Sequence, residues 1–407
     1  MQHKSATAPG QHILFAAPHR SMFFGGTAML LASFMLWGVE LIARLGVIPP
    51  LPWILPAGWG HALLATCAVF PFYMFGFLLT AMPRWQAAHE IPQARWLWAW
   101  RLLMSGWSLA IVGLFVPGVL VAGLVLVIAG WARVARILWQ VAHGSDLDAL
   151  HARLISYAMT VGLAAPAFWI GFLVSANSLF VRIAIDVALW WCLVPVFVSV
   201  CHRMLPFFSS GVIPSYQIYR PDALLGVLVG GSMLHGAFSV AGVLQWAWLV
   251  DLPAAAAALW LSYKWRLLPA LKVPLLGMLH VGFLWLGLAM LLFAVQSLAA
   301  SSGVRVMGLA PLHALGAGFF GSVLLAMVSR VTLGHSGGKL VADRLTWGLF
   351  LALETVVVLR IAAELVPASA SGILMVLAIG GWIGIFGAWA TRYVPVYLRP
   401  RSDGRPG

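Results

Sequence analysis

Leu312–Leu340 reads LHALGAGFFGSVLLAMVSRVTLGHSGGKL. It is an apolar run with a histidine near one end, an arginine and a second histidine at the other, and glycines between. If 306–330 forms one helix, it is long enough to cross a bilayer, for which about 20 apolar residues suffice. An imidazole in such a helix is costly without a partner. Gly316 and Ala317 stand one turn after His313, so the helix face beside the ring is bare. That face has room for a flat macrocycle or for a closely packed neighbouring helix. At the far end, Arg330 and the turn from Gly334 to Gly338 belong at the other membrane surface. His313 and His335 are then roughly 30 Å apart along the axis and cannot share a metal. The helix therefore touches two sites, one near each face.

The segment HALGAGFFGSVLLAMVSRVTLGHSG resembles the signature of the NnrS family, and shorter stretches agree with it. These are APHRSMFF near the amino end, FPFYMFGFLLTAMPRW, CHRMLPFF and LHVGFLWLG, so the resemblance covers nearly the whole chain. It implies a multi-pass protein of the bacterial inner membrane, linked to the nitric-oxide response and containing haem and copper.

Composition leads independently to the membrane. Of 407 residues, 62% are hydrophobic and only 9% charged, against about 25% charged in a soluble domain. This predicts an all-α polytopic bundle in contact with lipid and no sizeable soluble domain. The 21 tryptophans suggest aromatic belts at the interfaces. The net charge of +13 sits between apolar runs, where it orients the chain and anchors phospholipid, and nucleic acid is not a partner. The amino terminus lacks the short apolar core and small-residue cleavage site of a signal peptide, so the first span is expected to be retained. Cys67, Cys192 and Cys201 form no CxxC or CxxCH, which excludes covalent c-type haem and a zinc ribbon. Any haem is then of the b type.

Twelve spans are predicted, at 22–43, 57–82, 95–115, 119–141, 152–175, 184–206, 221–244, 251–268, 273–298, 306–330, 342–365 and 372–397. Pairs three/four and seven/eight are the weakest. Pro117-Gly118 divides the first pair, and Asp251-Leu252-Pro253 divides the second as an N-cap. With both termini on one side, that side gathers nineteen basic residues, from Lys4 and Arg20 to Arg401 and Arg405, and the other only Arg44, Arg182 and Arg305. The positive-inside rule makes both termini cytoplasmic. Residues 1–397 read as one transmembrane domain. His19-Arg20 with Met22 and Phe23 echoes His202-Arg203 with Met204 and Phe207, which suggests halves 1–206 and 221–397 without establishing a repeat. The polar tail, 398–407, is expected to be disordered.

Depth along the spans sorts the histidines. His235, His313 and the shallower His61 form an outer group; His202, His280, His19 and His335 form an inner one. A bis-histidine haem needs two imidazoles at similar depth on facing helices. His235 with His313, and His202 with His280, meet that condition, and Gly231, Gly277 and Gly316 accompany them. The plain alternative for any one histidine is a hydrogen bond to a neighbouring helix. For copper the candidates are His61 outside, and His19, His335 and Cys201 inside. Arg20, Arg84, Arg203 and Arg330 are candidates for haem propionates, or else topology anchors. Glu40–Arg44 and Arg360–Glu364 read as i,i+4 ion pairs. Glu354 lies mid-span without a local partner, as a proton carrier or a partner for a buried base. His3, His12, His89, His143 and His151 are given no role.

Three functions compete. The first is a haem- and copper-binding membrane protein of nitrosative stress. The second is a cofactor-free transporter using histidines and Glu354 in a proton relay. The third is a divergent haem–copper-type redox subunit, which the absence of any HH or HxH disfavours.

Overall fold

The computed structural model describes residues 13–147 and 149–403. Lys4, Arg405, His3, His12 and the last tail residues lie outside them. Among the described residues the chain is all-helical, with twelve long helices and one short turn of helix, Leu267–Ala270. The long helices are α1 (Pro18–Arg44), α2 (Ala57–Trp85), α3 (Gln93–Gly113), α4 (Val119–His143), α5 (Ala149–Ser175) and α6 (Leu179–Ser210). They continue with α7 (Asp222–Ala241), α8 (Trp248–Lys264), α9 (Pro274–Ser301), α10 (Ala310–His335), α11 (Arg344–Ala362) and α12 (Ala368–Leu398).

Ten of them are long and apolar enough to cross a membrane; α3 and α8 are the exceptions. They belong to the two pairs with the weakest sequence signal. α8 has only 17 residues, and α3 carries Gln93, Arg95 and Arg101 among its tryptophans. Both are held by backbone-close packing. A Cβ on Gly106 of α3 would lie 2.8 Å from the carbonyl oxygen of Gly123 on α4. Small residues at such a crossing let two helices meet without intervening side chains. Gly118, with φ +82°, makes the turn between them.

The α7–α8 break is not where the sequence suggested. The turn follows Gly242, which takes φ +74°. Asp251 lies inside α8, fully buried, and accepts a hydrogen bond from His235 instead of capping the helix.

Both chain ends meet at one end of the bundle. There Arg20 donates to the carbonyls of Val396, Tyr397 and Arg399. Part of the expected disordered tail is therefore ordered. Arg401 pairs with Asp403, and the Ser402 N–H donates to the Ser336 carbonyl. The tryptophans are not all belt residues. Trp96, Trp107, Trp131, Trp169, Trp265 and Trp389 are fully buried. Three of their indole N–H groups reach Met159 O, Tyr219 O and Ser329 Oγ, which keeps the polar tips satisfied inside the bundle.

Three helices contain π-helical segments: Leu64–Val69 in α2, Val187–Leu193 in α6 and Ala314–Gly321 in α10. π-Turns inside α-helices are uncommon and concentrate at functional sites. All three contribute to the wall of one cavity.

Candidate functional site

The cavity lies between α1, α2, α6, α10, α11 and α12, in the half of the bundle away from the chain ends. Its volume is about 470 Å³, within the range of cofactor and small-molecule sites. The wall is mostly apolar: Phe34 and Trp37 from α1, Ala65 and Phe70 from α2, Leu189 from α6, and Phe320 from α10. Two imidazoles enter it, His61 from α2 and His313 from α10. Each stands just before the π-segment of its helix. Gly316 and Ala317 also line it, and a Cβ on Gly316 would meet nothing within 4 Å. The bare face beside His313 thus opens on a cavity and not on a neighbouring helix. The other two glycines behave differently: Gly231 packs on Ala254 of α8, and Gly277 lies against Leu271.

The ring of His313 is fixed. Its Nδ1 lies 2.8 Å from the carbonyl oxygen of Leu309, so Nδ1 carries the proton and Nε2 keeps its lone pair. The Leu309 N–H in turn donates to Glu364 Oε2 at 3.1 Å. Glu364 Oε1 accepts from Arg360 Nη2 at 2.7 Å. His61 is held by aromatic contact: its ring stacks on Trp37 with centroids 4.6 Å apart, and Phe34 meets it edge-on at 5.5 Å.

Two residues that line the cavity carry a buried donor with no acceptor among the described residues. The donors are Nη1 of Arg360 and Nε1 of Trp382. An unpaired buried donor costs about 1–3 kcal/mol, so a ligand oxygen brought within reach of either would relieve it. The sequence had offered Arg20, Arg84, Arg203 and Arg330 for this task, and none of them lines the cavity. Arg20 caps the end of α12. Arg84 Nη1 lies 3.3 Å from His335 Nε2. Arg203 stacks on Trp85 at 4.3 Å and Arg330 on Phe208 at 3.8 Å. The arginine that does line it is Arg360, which the sequence places in an i,i+4 ion pair with Glu364.

The histidine pairs expected from depth are not assembled. His235 donates from Nδ1 to Asp251 Oδ1 at 2.8 Å and lies against Trp190 and Phe293, outside the cavity of His313. His202 meets His151, with Nδ1 and Nε2 3.0 Å apart, both rings buried. His151 had been given no role, because a histidine near a predicted loop carries no burial signal in sequence. His280 lies 2.9 Å from Ser209 Oγ.

At the end that carries the termini, His19 and His335 approach with ring centroids 4.5 Å apart. His335 donates from Nδ1 to the Val331 carbonyl, which leaves Nε2 to accept from Arg84. Cys201 is buried and unoxidised. Among the described residues, no three His, Cys, Asp or Glu side chains come together as a metal site. Glu354 has partners from neighbouring helices, Trp285 of α9 at 2.5 Å and Ser322 of α10 at 2.8 Å.

Residues 13–401 match the family model described as NnrS protein, nearly the whole chain. The chain belongs to the NnrS family. Among curated proteins none matches this NnrS chain. Among solved structures it is similar to a haem–copper terminal oxidase determined as a dimer. The TM-score is 0.68 at 14% identity, over 97% of this chain and 86% of that one. The two share a fold. The NnrS chain is accordingly a multi-pass membrane protein built on the helical arrangement of that oxidase.

Proposed function

We propose that this NnrS protein binds haem b in the cavity of about 470 Å³, where His61 and His313 would hold it, and serves the response to nitric oxide. The observation that carries the reading is the convergence of two imidazoles, the open face at Gly316 and two acceptor-less donors on one apolar cavity. Family membership and the oxidase-like fold support it. Haem suits these residues: it is flat, largely apolar, takes imidazole nitrogen and carries two carboxylates. His313 Nε2 is the ready donor on α10, and His61 supplies the imidazole from α2. Arg360 Nη1 and Trp382 Nε1 receive a propionate. The aromatic wall keeps water from the metal. When bound, the haem supplies one-electron redox change and a coordination position for a small ligand such as nitric oxide.

Copper is also part of the family-based reading, as a second metal. No described cluster suits it, since His19 and His335 are only two donors with a guanidinium already on one of them. A transporter using Glu354 as proton carrier has less support, because both carboxylate oxygens are engaged.

Visible spectra of the purified protein test the reading, with extractable haem measured per chain. His61→Ala and His313→Ala should each change haem content or spin state, whereas His235→Ala and His280→Ala should leave both as in the wild type. The opposite pattern would place the haem elsewhere.

A further inference from the structure

The two cavity histidines are not equivalent. His313 is tied through Nδ1 to the carbonyl of Leu309, and Leu309 is tied through its own N–H to Glu364, which Arg360 holds. A ring N–H donated to a carbonyl fixes both tautomer and orientation and makes the other nitrogen a better ligand. His61 has no such support. Neither of its ring nitrogens makes a hydrogen bond among the described residues, and its contacts are the faces and edges of Trp37 and Phe34. Such contacts restrain the ring plane but do not fix which nitrogen points inward. There is also space for it to leave. Gly58 lies one turn before His61, lines the same cavity, and a Cβ placed on it would meet nothing within 4 Å.

We propose that His61 is the displaceable ligand of the cavity metal and His313 the permanent one, so that a small neutral diatomic binds on the His61 side. This rests on the haem reading above. In the exchange the bond from iron to the His61 nitrogen breaks and a bond from iron to the diatomic forms. The imidazole leaves neutral, and no electron or proton is transferred. It then occupies the space beside Gly58, with Trp37 as the surface along which it moves. The mostly apolar wall favours a neutral diatomic over an anion, because a charged ligand would be desolvated there while Arg360 is already engaged by Glu364 and the propionate.

The test uses the full-length purified protein, with carbon monoxide on the dithionite-reduced form as probe. His61→Ala should keep near wild-type haem per chain, become high-spin and bind carbon monoxide about tenfold faster or more. His313→Ala should lose haem about tenfold, the scale on which losing the better-supported ligand acts. Trp37→Leu leaves both histidines in place. It should retain haem while raising the high-spin fraction and the rate of carbon monoxide binding. The inference is overturned if His61→Ala loses haem and His313→Ala keeps it, or if both lose it equally; the haem reading survives either result. It is also overturned, should His313→Ala fail to fold, by a Trp37→Leu protein whose spin state and binding rate match the wild type. If both histidine variants keep the wild-type spectrum, the haem reading itself falls and this inference with it.

Discussion

Arg360 has two differently occupied ends. Nη2 is paired with Glu364, and Nη1 is buried with no acceptor among the described residues. Replacing Arg360 with Lys keeps a charge but loses the planar fork that serves both ends. Arg360→Lys should therefore weaken haem retention by about one to two orders of magnitude if Nη1 holds a charged acceptor, as read by haem per chain after extended washing. Glu364 gives the same latch a pH dependence. Burial alone would raise its pKa, but the Leu309 N–H and Arg360 outweigh that and hold it below the usual range. A depressed carboxylate stabilises the fold above its unfolded value, about 4.3. That contribution is lost as pH falls through the lower folded value. Thermal melts should therefore be flat from neutral pH to about 5, then fall in a range where Glu364→Gln shows a smaller change. Glu354 should behave as a structural residue. Glu354→Ala leaves Trp285 Nε1 and Ser322 Oγ without their acceptor, at about 2–3 kcal/mol of stability, measurable as a lowered Tm with haem content unchanged.

At the scale of elements, the site depends on three π-segments. An ideal helix advances about 100° per residue, and a π-turn accommodates one residue more in nearly the same rise. In α10 the segment Ala314–Gly321 separates His313 from the helix that packs the rest of the bundle. Deleting Ala317 should let this segment revert to α-helix and rotate His313 by about 100° relative to Ser322–His335. The expected outcome is a folded, membrane-inserted protein without bound haem, read by gel filtration and absorbance. Packing at α3 and α4 is tested by Gly106→Val. Its Cβ would meet the carbonyl of Gly123 at 2.8 Å. The overpacking should cost about 1–3 kcal/mol and lower the melting temperature without touching the cavity.

For the molecule as a whole, the chain ends meet at one end of the bundle, and the basic residues concentrate at that end. By the positive-inside rule that end is expected on the cytoplasmic side. Reporters after Gly407 and near Gly144 should read out on the cytoplasmic side and one near Gly303 on the other side. A non-cytoplasmic carboxyl terminus would sink this orientation. The oxidase-like fold is reached at 14% identity and without the adjacent histidines that the redox-subunit reading requires.

Composition and spacing alone determined the class, an all-helical multi-pass membrane protein, although two of the twelve expected spans, α3 and α8, are not long and apolar enough to cross. A segment such as 306–330 must bury its backbone polar groups in lipid, and only a helix of that length does so. The bare face at Gly316 was also legible, since three-to-four-residue spacing is a local property. Partner choice was not. Depth is one coordinate, and it put His61, His235 and His313 in one group. Which of them face each other depends on helix rotation, neighbour order and the π-segments, none of which leaves a mark in spacing. So His313 shares its cavity with His61, more than two hundred residues away in sequence, while His235 turns to Asp251. Arg360 was hidden for a related reason. An i,i+4 pair accounts for one face of a guanidinium, and only packing shows where the other face points.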